Sequence, residues 1–152
     1  MGAGIDVGMA KALGRFERQL SDIQGRMFER SLLKGLDSYD FIEKFMNSKT
    51  CEYLDMPYDR LQWAGEEYIL ENLLEENKIK PAGRQFRKEE LYWTGYVYRY
   101  WRLLTGESSR EIYAQAGAEL MRDSYSGFHT LDVVMAIEDL KELSRLLPGH
   151  KT

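Results

Sequence analysis

Six apolar residues, Met9, Leu13, Phe16, Leu20, Ile23 and Met27, follow one another at steps of 4, 3, 4, 3 and 4. Side chains three and four apart share one face of an α-helix. The spacing therefore specifies a helix whose apolar seam persists for nearly three heptads. A strand would scatter the same residues over both of its faces. Two uses of the seam stay open. It folds back as a core helix, or residues 1–34 form an arm that dimerises or grips another protein. Glycines at 2, 4, 8, 14 and 25 weaken an isolated helix by up to about 1 kcal/mol each where they are interior. Such a helix has to pack against something.

The rest of the chain repeats the helical period, and no alternation of β-branched residues marks a strand. Gly35 is a helix stop. Ser38 is placed to cap a helix through Phe41, Ile42, Phe45 and Met46, and Ser48 caps a short turn ending near Leu54. Pro57 suits a first helical turn, which predicts one long helix from there to about Asn77. Residues 78–86, KIKPAGRQF, form a loop, and the next helix spans about 87–104, ended by Gly106. Ser108 and Glu111 make a capping box. Gly117 breaks that helix, a short one follows to about Tyr125, and SGFHT forms a loop. Asp132 caps a last amphipathic helix ended by Pro148 and Gly149. The expectation is an all-α fold of six to seven helices in a single compact domain over residues 1–152. A long N-terminal amphipathic helix would precede a helical core at 36–147.

The stretch YWTGYVYRYWR, residues 92–102, has six aromatics and two arginines. On a helical wheel Trp93, Val97, Tyr100 and Leu104 fall on one broad face, which reads as core. A nucleic-acid stacking platform would instead hold its aromatics in solvent beside the cations. Tyr98, Arg99 and Arg102 fall on the opposite face, beside Gly95. Tyr and Arg are enriched in binding hot spots, so these three are candidate partner contacts. Glu67, Glu71 and Glu75 align at i, i+4 and i+8, flanked by Arg60 and Lys78. Like charges at that spacing cost a few tenths of a kcal/mol per pair, and they read as a solvated face or a docking strip for a basic partner.

Other chemistry is poorly supplied. Cys51 is the sole cysteine, which excludes a disulfide framework and a cysteine metal cage and fits a reducing, cytoplasmic setting. No local signature joins it to His129 as a nucleophile pair, and His129 is expected to bond backbone in a loop. The early GAGIDVG follows no strand, so it is not a phosphate loop. Glu66 and Glu67 lack the histidine spacing of a helical metal site. No catalytic residue, cofactor or metal is expected, and no apolar run is long enough to span a bilayer. The net charge of −4 disfavours nucleic acid, although residues 80–106 hold six bases against two acids.

The blocks FIEKFMNS (41–48), YDRLQWAGEEY (58–68), YWTGYVYRYW (92–101), TGESSREIY (105–113) and FHTLDVVMAIEDL (128–140) resemble a group of small bacterial helical proteins. Their genes lie in accessory or mobile regions near ADP-ribosyltransferase-like toxin genes. The resemblance covers roughly residues 15–143, and the first dozen residues fall outside it. It implies a non-enzymatic, antitoxin-like protein that neutralises an ADP-ribosyltransferase-like toxin by covering its cleft. It carries no catalytic assignment. Two alternatives remain: a nucleic-acid-binding accessory protein using residues 80–106, and a homo-oligomer built on the N-terminal seam.

Overall fold

The computed structural model describes residues 13–147, so Met9 of the seam and the expected stop at Pro148 and Gly149 lie outside the described residues. Within them the chain is all-α. The helices are α1 (Arg15–Leu33), α2 (Ser38–Met46), α3 (Lys49–Asp55), α4 (Glu66–Glu76), α5 (Lys88–Thr105), α6 (Ser109–Gln115), α7 (Ala118–Phe128) and α8 (Val133–Leu146). A one-turn 3-10 helix, Arg60–Trp63, sits between α3 and α4. These eight α-helices exceed the six or seven expected, because the short turn foreseen after Ser48 is a full helix, α3; the long helix foreseen from Pro57 is cut back to α4. Asp55 ends α3, Asp59 caps the 3-10 turn through Leu61 N at 2.8 Å, and Gly65 (φ 87°) then reorients the chain into α4. A left-handed φ is cheap only for glycine.

Helix α5 is the axis of the domain, packed by α1, α6, α7 and α8. Its pairing with α1 is the most extensive in the fold, and two glycines let the backbones approach. A Cβ on Gly95 would stand 2.8 Å from the Gln24 carbonyl oxygen, and one on Gly25 would stand 2.8 Å from the Tyr92 ring. Leu20, Met27 and Phe28 are buried, with Phe16 and Ile23 packed at the edge. The seam therefore folds onto its own domain. Phe28 meets Phe41 and Phe45 edge-on, at 5.0 and 5.5 Å between centroids. Fully burying such a ring contributes about 1.5–3 kcal/mol.

Most capping signals hold. Ser48 Oγ accepts from Cys51 N at 2.9 Å, and Ser108 and Glu111 form their reciprocal box. Asp132 caps α8, while Gly35 (φ 67°) and Gly106 (φ 80°) end α1 and α5. At α2 the cap is Asp37, one residue before the expected Ser38. Asp37 accepts from Asp40 N at 2.9 Å and from Arg84 N at 3.1 Å, and Ser38 Oγ accepts from Phe86 N at 3.0 Å. Both side chains stitch the 78–86 loop to the start of α2. Helix α7 continues to Phe128 rather than ending at Tyr125. His129 follows it, its ring stacked on Tyr125 at 4.2 Å and its Nδ1 2.7 Å from the Tyr125 carbonyl oxygen.

Candidate functional site

The structure reverses the orientation expected for two of the three contact residues on α5. Tyr98 is fully buried, its hydroxyl donating to the Ala116 carbonyl at 2.7 Å. Burial holds its hydroxyl well above the ordinary tyrosine range. Arg99 is also fully buried. The wheel assumed one wet face, but a helix enclosed by four others has none over this span. Gly95 admits α1, not a foreign partner. Val97 and Tyr100 are core as expected, whereas Trp93 and Leu104 are half-buried at its margin.

Arg99 is the centre of a polar hub. Its Nη1 pairs with Asp55 Oδ1 at 2.7 Å, Nε donates to Gln24 Oε1 at 2.8 Å, and Nη2 lies 3.5 Å from Cys51 Sγ. Asp55 also accepts from Ser109 N (2.9 Å) and Ser109 Oγ (2.8 Å), while Gln24 Nε2 donates to the Gly95 carbonyl at 3.0 Å. A buried charge is tolerated only when paired and hydrogen-bonded, and this one ties α1, α3, α5 and α6 together. Burial pushes the Cys51 thiol up to about 12, against the opposing pull of Arg99. Since the thiolate is the nucleophile, a buried thiol held protonated in this way is poorly suited to nucleophilic attack.

A second cluster closes the C-terminal end of α5. Glu107 accepts from Trp101 Nε1 at 2.7 Å, Lys141 Nζ at 2.9 Å and Gln115 Nε2 at 3.0 Å. Burial alone would raise this carboxyl, but these bonds outweigh it and hold it below its ordinary value. Part of the basic block around α5 also has internal partners. Arg87 pairs with Glu90, and Arg84 lies over the Tyr39 ring at 4.0 Å.

Of the three α5 residues, only Arg102 reaches a surface cleft. It is half-buried, with Nη2 donating to the Asp55 carbonyl at 2.9 Å and Nη1 to the Gly106 carbonyl. That cleft, about 370 Å³, has Phe16, Pro57, Tyr58, Trp63 and Leu103 among its walls. Trp63 packs on Phe16 at 4.9 Å between centroids yet remains 70% exposed. Tyr58 is 93% exposed and holds φ 67°, a conformation uncommon for a bulky residue. It forms the ridge between this cleft and a shallower groove of about 730 Å³, where Tyr53 and Tyr68 stand half in solvent. Sequence reasoning missed this face because it placed residues 57–77 in one helix. The pairing of Pro57 with Gly65 eight residues later was the available signal.

Glu67, Glu71 and Glu75 lie exposed on α4. The cation that meets the strip is Arg30 of α1, 2.8 Å from Glu67, rather than Arg60 or Lys78. Glu76 reaches across to the start of α3, accepting from Lys49 N at 2.6 Å, Thr50 N at 2.9 Å and Thr50 Oγ1 at 2.7 Å. Among the described residues no group of three His, Cys, Asp or Glu side chains could hold a metal ion, and no helix is long and apolar enough to cross a membrane. Comparison of the chain with protein-family models, curated proteins and solved structures finds no match.

Proposed function

We propose that this chain is a non-enzymatic protein-binding protein whose contact face is the aromatic segment between α3 and α4, backed by Phe16 and Leu103. The observation that carries this reading is the exposure of Tyr58 (93%) and Trp63 (70%) side by side on a domain whose other large rings, Tyr53 and Tyr68 apart, are buried or half-buried. Exposed apolar patches rimmed by polar groups mark interaction sites, and Tyr and Trp dominate binding hot spots. The strained Tyr58 backbone adds to this, since such conformations concentrate at functional positions. The polar hub of Arg99 fixes the base of the segment through Asp55. The face is therefore presented largely preformed, which lowers the ordering cost of binding.

The specific form of this function is that of an antitoxin covering the cleft of a partner toxin; the family resemblance alone suggests it. Co-purification from the native host of the wild-type chain and of a Tyr58→Ser/Trp63→Ser variant tests the general reading. A partner that the wild type retains and an equally stable variant loses supports it. A partner held equally by both places the contact elsewhere. Rescue of growth on co-expression with the captured protein then tests the antitoxin form.

A further inference from the structure

Beyond the protein-binding reading, and without any residue it uses, we infer that the segment 78–88, KIKPAGRQFRK, grips the phosphate backbone of a nucleic-acid duplex. The segment holds five bases and no acid, and Lys78, Lys80, Arg84, Arg87 and Lys88 are all exposed. Lys44 of α2 and Arg122 of α7 join them, the first donating to the Lys78 carbonyl at 3.1 Å and the second lying over the Phe86 ring at 5.2 Å. Against these cations stand the carboxylates in contact with them, Asp37, Asp40 and Glu90, and the exposed neighbour Glu89. The three contacting carboxylates point inward, their side chains 10%, 11% and 9% exposed. They accept from the amides of Asp40, Arg84, Lys80 and Arg87. Glu43, Glu119 and Asp123, exposed on α2 and α7, pair with none of these cations. Positive charge is therefore in excess here, and it forms the outer layer. The α5 half of the basic block drops out, because Arg99 is buried and Arg102 donates to backbone carbonyls.

The cations stand on a fixed stem. The Lys80 carbonyl accepts from Asp37 N and the Arg84 carbonyl from Ser38 N, each at 2.9 Å, and Phe86 is buried. Between Lys80 and Arg84 only Pro81, Ala82 and Gly83 intervene, all exposed, so nothing bulky holds a polymer backbone away. Among the described residues, none of the large apolar side chains that are exposed belongs to 78–88, α2 or α7. A protein contact has an apolar centre, whereas a phosphate backbone is held by cations and polar donors alone. Single strands are gripped by stacking their bases on open rings. Here Arg84 covers the Tyr39 ring and Phe86 is buried. The surface therefore suits a duplex held by its phosphates, without readout of its bases.

Fluorescence anisotropy of a labelled DNA duplex of about 20 base pairs, titrated with the full chain over a salt series, tests the inference. Saturable binding is expected, with log Kd rising against log salt at a slope of roughly 3 to 4 if about four phosphates are met. Lys80→Gln/Lys88→Gln should raise Kd about tenfold or more and lower that slope by about 2, with unchanged thermal melts. Arg15→Gln/Lys49→Gln removes the same charge elsewhere and should leave Kd unchanged, as should Tyr58→Ser/Trp63→Ser. No binding at low salt would overturn the assignment. So would equal weakening by the Arg15 and Lys49 pair, which is bulk charge attraction only. Tighter binding of polyglutamate would make the occupant an acidic protein, tighter binding of the single strand would replace the duplex, and tighter binding of anionic lipid vesicles would make it a membrane surface; each of these overturns the duplex. The lysine variant leaves the aromatic face intact, so a host protein it still retains keeps the protein-binding reading standing whatever the duplex does.

Discussion

Replacing Arg99 by Met keeps most of the side chain's length and removes its charge. Arg99 has no exposed surface, and its partner Asp55 has a side chain 12% exposed. Breaking a buried pair from one side costs about 3–5 kcal/mol, because the surviving charge is left without its counter-ion. Here the stranded carboxylate keeps two hydrogen bonds from Ser109, and Gln24 keeps its bond to the Gly95 carbonyl. The expected loss for Arg99→Met is therefore at the lower end, about 3 kcal/mol. Arg99→Ala adds a cavity and moves toward about 5 kcal/mol. If the stranded charge is the cause, Asp55→Asn introduced into Arg99→Met should cost little more, which shows as non-additivity. Urea denaturation reads all three, as shifts of midpoint at constant slope. An Arg99→Met variant within about 0.5 kcal/mol of the wild type is what exposed positions give. That result would refute the hub and return Arg99 to the outer face expected from the helical wheel.

Tyr58→Gly should stabilise the chain. A left-handed non-glycine residue stores on the order of 1–3 kcal/mol, the glycine entropy cost is about 0.5–1 kcal/mol, and a side chain 93% exposed loses almost no burial; a lower melting temperature would contradict this. Gly95→Ala drives a methyl onto the Gln24 carbonyl at 2.8 Å and should cost about 1–3 kcal/mol by overpacking, read by the same urea midpoints. Acid should unfold the chain in a defined window. In Glu76 and Glu107 burial raises the carboxyl but hydrogen bonds prevail, so both stand below their ordinary 4.5, and Asp37 stands below its ordinary 3.8 for the same reasons. Depressed carboxyls contribute stability above their unfolded values and lose it as pH falls through the folded ones. Stability should decline from about pH 4.5 downward, and Glu107→Gln should flatten part of that decline in pH-dependent melts.

What the sequence made legible was local. Ser48, Ser108 with Glu111, and Asp132 act on backbone amides two or three residues away, so a short window contains cause and effect. The seam of Leu20 and Met27 likewise announced a buried stripe, though not what buries it. The Tyr98 and Arg99 orientations were illegible for the opposite reason. Arg99 is satisfied by Asp55 and Gln24, at sequence separations of 44 and 75, and no periodicity encodes a partner that remote. The aromatic face failed on a competition between signals. Pro57 favours a helical first turn, but Tyr58 and Gly65 both take positive φ, and between them only the one-turn 3-10 helix fits. Of the proposed contacts, Glu67, Glu71 and Glu75 lie exposed where the helical spacing put them, because α4 has only one face on the core.

The close contact of α1 with α5 joins residues 71 positions apart, as Gln24 and Gly95 are. A ribosome adding roughly 5–20 residues per second takes about 4–14 s to travel between them. Through that interval Leu20 and Met27 have no native cover from α5, while Phe28 meets its first rings, Phe41 and Phe45, soon after they are made. Helices α1 and α2 are thus the early seed and α5 the late keystone. Separations this long slow folding and lengthen the time for which a nascent chain is a chaperone's client. Chains stopped before residue 88 should bind a hydrophobic dye strongly, and chains extending through residue 147 should not.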